Sequence, residues 1–364
     1  MKTGMGRTPL SRVAVIGALA LTAALLVGGS AAAAPGTAAR TAGATAESAG
    51  ATTAGIPSPY LFVHDPSMAR EGGTYYLFST GDPAGVIGNG NIQIRTSRNL
   101  RQWIYTGTVF ATKPAWITTA LGSIPNLWAP DISFFGGLWH LYYAGSSFGS
   151  NNSVIGLATT PTLDPSSPRY HWTDRGLVFQ STSSDDYNAI DPSLVAAPDG
   201  AKWLVFGSYW SGIKLTALDA TTGKPASSSP TIYSLAQRPA PDAEEGAGIT
   251  YHDGYYYLIV SFDTCCAGIA STYRIMVGRS ATVTGPYVDP AGTSMMNSGG
   301  MELQGSDEGM IGPGSSYIYH DGSRDSRTRR DRARRGGEAC RAHAHPHDGS
   351  RGWARVDRRS ARPW

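Results

Sequence analysis

Cysteine is scarce: three residues in 364, two of them adjacent at Cys265 and Cys266 and the third at Cys340. That excludes a disulfide-stapled framework, and no C-x-x-C or H-E-x-x-H spacing points to zinc. Two buried thiols are expected at 265–266, because a disulfide between neighbours is sterically possible but strained. Charge is thin as well, at 16% Asp, Glu, Lys and Arg, which excludes long solvated helices and coiled coils. Long apolar runs are absent after residue 29. What the chain has in quantity is turn formers and aromatics, with 45 Gly, 23 Pro, 18 Tyr and 9 Trp. Short strands joined by tight turns follow from that mixture.

The formal net charge of +3 conceals three unlike pieces. Residues 1–34 are basic, residues 35–322 carry a net −8, and residues 323–364 hold 13 Arg against 5 acids. A nucleic-acid partner would rest on the tail alone, and none is expected. Residues 1–34 run from a basic start through VAVIGALALTAALLVGG to an Ala-rich exit, the order of a secretory signal peptide. Export follows, to a secreted, extracellular location with no membrane partner after cleavage. Residues 35–55 are small, polar and aperiodic, as in a flexible linker. From Ser323 the chain lacks Ile, Leu and Phe and is expected to be disordered. A reading-frame shift in a GC-rich gene accounts for its Arg-rich composition better than a basic arm or a His343, His345, His347 metal tract.

Between these ends, one pattern occurs five times: a small or acidic residue, usually Pro, a hydrophobic pair, a Gly turn, then an aromatic strand. The copies are VHDPSMAREGGTYYLFST (63–80), WAPDISFFGGLWHLYYAG (128–145), AIDPSLVAAPDGAKWLVFGS (189–208), EGAGITYHDGYYYLIVSF (245–262) and MIGPGSSYIYHDGSRD (310–325). Pro66, Pro130, Pro192, Ala247 and Pro313 align, with spacings of 64, 62, 55 and 66. Each interval holds a four-stranded antiparallel sheet, and radial repetition of such sheets gives a propeller. The expected fold is all-β, a five-bladed β-propeller over residues 56–322 with its fifth blade incomplete.

Matching positions of a propeller repeat converge at one end of the central channel. Asp65 and Asp191 each precede the repeat proline, and Glu245 falls one position earlier in its copy. Three carboxyl groups facing one cavity repel, so one is expected to stay protonated near neutrality. A carboxylate beside a carboxylic acid is the apparatus of glycosidic bond hydrolysis. One Asp alone would be read as a turn cap; three in three repeats are read as catalytic. Trp128, Phe148, Tyr209 and Trp210 are expected in blade-end loops, with faces free to stack on sugar rings.

The segments VHDPS (63–67), LWAPDI (127–132), YNAIDPS (187–193), GSYWSGI (207–213) and FDTCCAGIASTYRIMVGRS (262–280) resemble glycoside hydrolase family 43, in particular its secreted endo-arabinanase branch. The resemblance spans residues 57–322. It implies a five-bladed propeller hydrolysing α-1,5-linked arabinan or its oligosaccharides with inversion, as a monomer. Asp65 matches the general base, Glu245 the general acid, and Asp191 the acid that orients Glu245 and tunes its pKa. Trp128, Phe148 and Asn188 match substrate-contacting positions. The family usually has Glu-Ala-Pro where this chain has Glu245-Gly246-Ala247, which leaves Glu244 as a neighbouring candidate for the acid. No cofactor is required for the chemistry. A structural metal ion, calcium being one choice, is implied through a His in the fifth blade, for which His320 is a poor substitute. Two other readings stand beside the endo-acting hydrolase. One is a carbohydrate-binding propeller without activity; the other is an exo-acting arabinofuranosidase or β-xylosidase.

Overall fold

The computed structural model describes residues 63–319 apart from 86, 308 and 309. The signal peptide, the linker, His320 and the Arg-rich tail lie outside the described residues. Among the described residues, sixteen strands form four antiparallel sheets, each an up-and-down meander in chain order. The first holds β1 (Ser67–Glu71), β2 (Thr74–Ser79), β3 (Gln93–Ser97) and β4 (Ile104–Thr108). The second holds β5 (Trp128–Phe135), β6 (Leu138–Gly145), β7 (Ser153–Thr160) and β8 (Thr173–Ser181). The third holds β9 (Ser193–Ala196), β10 (Lys202–Phe206), β11 (Ile213–Leu218) and β12 (Ile232–Ala236). The fourth holds β13 (Glu244–His252), β14 (Tyr255–Phe262), β15 (Arg274–Ser280) and β16 (Met301–Gln304). The fold is an all-β propeller.

Strand alternation explains why the sheets stack face to face. Leu141 and Tyr143 of β6 join Phe78 and Ile94 of the first blade in one core, while Tyr142 between them turns to Leu204 and Phe206 of the third. Val205, on the opposite side of β10, belongs with Leu258 and Val260 of the fourth blade. The second and third blades are thus apolar on both faces, as a two-residue side-chain period requires of a sheet buried between two others. A fully buried Leu or Phe contributes about 1.5–3 kcal/mol, and these inter-blade cores carry the stability of the ring.

The first strands of the blades sit innermost, with β1 beside β5, β5 beside β9 and β9 beside β13. The space between β13 and β1 receives residues 315–319. Ser315 donates its backbone N–H to Ser261 Oγ of β14 at 2.8 Å, and Tyr317 donates its hydroxyl to the carbonyl of Ile132 in β5 at 3.0 Å. Tyr319 meets Tyr75 of β2 edge to face, 6.2 Å between centroids. This segment takes the place of a fifth innermost strand, and among the described residues no further strand pairs with it.

The fifth repeat needs a correction of register. In the first four copies the residue before the aligned position has a left-handed backbone: Asp65 (φ 46°), Ala129 (φ 43°), Asp191 (φ 55°) and Gly246 (φ 60°). In the fifth copy both Gly312 (φ 59°) and Ser315 (φ 46°) are left-handed, but it is Ser315 that lines the small axial cavity with the other four corners, so Ser316, not Pro313, stands where Pro66 does. Pro313 looks like a corner proline as a letter, but it is the chain from Ser315 that reaches the axis.

Candidate active site

Five left-handed corners, one per repeat, ring a small cavity lined by Asp65, Ala129, Asp191, Gly246 and Ser315 with their following residues. Below it a larger cavity of about 850 Å³ runs along the innermost strands past Met68, Ile132, Leu194, Ile249 and Tyr317. A left-handed residue costs an L-amino acid about 1–2 kcal/mol. Here it turns the chain sharply enough to aim the corner side chain at the axis before the strand begins.

Each corner carboxyl is held by a donor tied to the next blade's corner. Thr80 donates its hydroxyl to Asp65 Oδ2 at 2.6 Å while accepting the backbone N–H of Ala129 at 2.9 Å. Asp191 Oδ2 accepts the backbone N–H of Gly246 at 3.0 Å. Burial raises the Asp191 pKa well above the usual carboxylate range, and the neighbouring charges of Glu245 and Asp65 raise it further. The Gly246 N–H offsets only part of this. Burial and like charges thus favour the protonated form at Asp191, as a dry site shared by carboxyl groups requires.

Glu245 stands one residue ahead of its corner. A register shift between Glu245 and Gly248 in the pairing of β13 with β14 absorbs the extra residue. Its two oxygens are held separately: Ser208 donates its hydroxyl to Oε2 at 2.6 Å and Tyr273 donates to Oε1 at 2.7 Å. Burial, then the charge of Glu245, raises the Tyr273 pKa far above that of a free phenol, so it stays a proton donor. Burial and the same charge push Tyr209 up to about 12. Glu244 points the other way, fully buried beneath Gly212, and burial pushes its pKa up to about 8. The two adjacent glutamates are thus separated by strand alternation into one half-exposed group and one sealed group.

The remaining sequence candidates divide. Trp128 and Phe148 meet with centroids 5.2 Å apart, and Phe148 is 83% exposed. Trp128 is the first residue of β5 rather than a loop residue, its indole N–H fixed on Asn126 Oδ1 at 2.9 Å. Asn188 is buried, and its Oδ1 accepts the Ser153 hydroxyl at 2.7 Å, so that oxygen braces two blades instead of facing a ligand. Cys265 and Cys266 are thiols as expected, but not buried ones: Cys265 is half-buried and Cys266 exposed. Sequence reasoning gave no role to Ser208, Tyr273, Thr80 or Asp131. Asp131, sealed beneath the corners, accepts hydrogen bonds from Ser193, Ser133 and the Leu194 backbone, and burial raises its pKa to about 6. All but Thr80 lie within segments that carry the family resemblance, which was the available signal.

The family resemblance implies a metal ion near the channel. Among the described residues no group of three or more His, Cys, Asp or Glu is placed to hold one. No step is drawn through such an ion.

A propeller whose axis ends in a cluster of mutually perturbed carboxyl groups, flanked by an aromatic lip, defines a propeller-type glycoside hydrolase. The model of glycosyl hydrolases family 43 matches residues 56–326, and the chain belongs to that family. It is 44% identical over 260 residues to the extracellular endo-α-(1→5)-L-arabinanase 1 of Bacillus subtilis, covering 71% of this chain and 77% of the relative. It is 39% identical over 269 residues to the extracellular exo-α-(1→5)-L-arabinofuranosidase ArbA of Cellvibrio japonicus, covering 71% of this chain and 75% of the relative. Among solved structures, the endo-arabinanase of Bacillus licheniformis superposes with a TM-score of 0.66 at 45% identity, over 73% of this chain and 87% of the other.

Proposed function

We propose that this chain is a secreted, inverting hydrolase of internal α-1,5-L-arabinofuranosidic bonds in arabinan, with Asp65 as general base, Glu245 as general acid and Asp191 as the group that orients the acid and tunes its pKa. The observation that carries the reading is the corner cluster, in which three carboxyl groups from three blades share one site but have three different surroundings. Asp65, held by one hydroxyl, is free to accept a proton from a water on the far side of the sugar. Glu245 delivers its proton to the departing oxygen. The Ser208 hydroxyl rotates, so it can accept from protonated Glu245 and donate to the carboxylate left behind, while Tyr273 holds the other oxygen throughout. Asp191, seated between them on the Gly246 N–H, disfavours a second negative charge and so keeps the acid loaded.

Inversion requires the Asp65 and Glu245 carboxyls to stand about 6.5–9.5 Å apart with substrate bound, leaving room for the water. Trp128 and Phe148 supply an apolar lip suited to furanose rings. Export rests on the basic-then-apolar start of the sequence and on the extracellular relatives. The test is incubation with linear α-1,5-arabinan, following products by chromatography and the first-formed anomer by NMR. A ladder of oligosaccharides of inverted configuration is expected. Arabinose alone would replace the endo reading with an exo-acting one, and a retained anomer would overturn the assigned roles.

A further inference from the structure

Just past the end of β2, every backbone polar group of Thr80 and Gly81 is engaged. The Thr80 N–H donates to the His64 carbonyl at 3.0 Å, and the Gly81 N–H to the Leu127 carbonyl at 2.9 Å. The Thr80 carbonyl accepts Gln93 Nε2 and the Gly81 carbonyl accepts Asn126 Nδ2, both at 2.7 Å. Gln93 is itself fixed, its Oε1 accepting Arg95 Nη2 at 2.6 Å. Gln93, Arg95 and Asn126 are all buried. Packing is as close as the bonding: a Cβ on Gly81 would stand 2.1 Å from the Gly90 carbonyl oxygen. This stretch therefore has one place to lie, and that place sets the Thr80 hydroxyl between Asp65 Oδ2 and the Ala129 N–H.

Asn126 holds a second partner. Its Oδ1 accepts the Trp128 indole N–H at 2.9 Å, while its Nδ2 serves Gly81. The amide fits only this way round, because an indole offers only a donor and a carbonyl only an acceptor. We propose that Asn126 is a positioning residue for the hydrolysis, joining the aromatic lip to the general base: through Gly81 it sets the Thr80 hydroxyl on Asp65, and through its own oxygen it sets the Trp128 ring. The inference rests on the hydrolase reading and deepens it. A sugar resting on Trp128 and a water beside Asp65 are then kept in one mutual geometry by a single buried amide. Such geometry matters to rate, since a displacement of about 1 Å can cost about 10²-fold.

The test measures kcat and KM on linear arabinan for the full chain, Asn126→Leu, Thr80→Val and the double variant. Asn126→Leu is expected to lower kcat about tenfold and raise KM severalfold, since both partners are released. With Thr80→Val already in place, the same change should raise KM alone, because Asp65 has lost the hydroxyl that Asn126 sets. An equal loss of kcat in both backgrounds overturns the link to the base. Asn126→Asp keeps an oxygen for Trp128, so its KM should stay within about twofold of the unsubstituted chain. Its kcat deficit should widen as pH rises, when the new carboxyl loses the proton it would give to the Gly81 carbonyl. A KM raised as far as in Asn126→Leu overturns the link to the lip. Hydrogen exchange over residues 76–84 reads the clamp without substrate, and should quicken at Thr80 and Gly81 in Asn126→Leu. Unchanged exchange overturns the inference whatever the activity. Failure of the unsubstituted chain to cut arabinan removes the proposed function instead, and the exchange result still decides the clamp.

Discussion

The corners of blades one and three share their backbone with those of blades two and five, yet they carry opposite chemistry. Asp65 and Asp191 turn with φ of 46° and 55°, Ala129 and Ser315 with 43° and 46°. All four line the same small cavity. The left-handed corner therefore belongs to the propeller, as the way each blade enters the axis, and the carboxyl groups are placed upon it. Blade four departs from both pairs. Its corner is Gly246, and its acid sits one residue earlier, brought to the site by a shift in strand register rather than by the corner itself.

If that division holds, changing chemistry at a bearing corner should stop turnover without unfolding the ring. Asp65→Asn and Glu245→Gln are each expected to lower kcat on linear arabinan by at least about 10³-fold, with thermal unfolding little changed. Retained turnover in either variant would remove its assigned role. For Asp191→Asn the expected loss is smaller, about 10²–10³-fold. Its mark should be an alkaline limb of the pH–rate profile moved to lower pH, because the cluster would no longer have to hold a second carboxylate beside that of Glu245.

Tyr273→Phe sharpens the same contrast through a residue that holds the acid without touching the sugar. Removing its hydroxyl leaves Glu245 Oε1 without its 2.7 Å donor. That donor stabilises the carboxylate over the acid, so the Glu245 pKa should rise, moving the alkaline limb of the profile upward as kcat falls about tenfold. A loss of kcat with no movement of the limb would mean that Tyr273 serves only to fill the buried wall.

Two sealed carboxyl groups, Glu244 and Asp131, offer a comparison by stability. Glu244 is sealed and its pKa is raised to about 8, while Asp131 is sealed and raised to about 6. In both cases the folded group holds its proton more tightly than the unfolded one. Their contributions are complete in acid and are lost as pH climbs from about 4 through these values. Glu244→Gln should flatten the decline in melting temperature between pH 5 and 9 and leave turnover within about twofold. An unaltered slope would show that Glu244 does not carry the titration.

Much of this was legible in the letters, because a repeat writes its own alignment. Pro66, Pro130 and Pro192 follow corners, the Gly turns separate β1 from β2 and β5 from β6, and the aromatic runs become second strands. Two local readings have one shortfall, which is that local letters do not report distant partners. Pro313 imitates a corner proline, but contacts with Ser261 and Ile132 decide which residues reach the axis. Asn188 looks like a polar ligand contact, but Ser153, 35 residues earlier, claims its carbonyl oxygen. Ser208 and Tyr273 were invisible as partners of Glu245 for the same reason, lying 37 and 28 residues away.

The smallest effect is expected at a bare corner, where the backbone can be relaxed with no chemistry at stake. Ser315→Gly removes a left-handed strain of about 1–2 kcal/mol and returns about 0.5–1 kcal/mol of chain entropy to the unfolded state. The net gain is about 0.5–1 kcal/mol, a rise in melting temperature of about 1–3 °C for a domain of this size. Its backbone N–H, which reaches Ser261 Oγ, survives the change, so the segment stays anchored between β13 and β1. Unchanged turnover with a raised melting temperature would show that this corner is paid for by the fold alone. A loss of activity would instead mean that the Ser315 side chain belongs to the site, and that the fifth repeat contributes chemistry as well as closure.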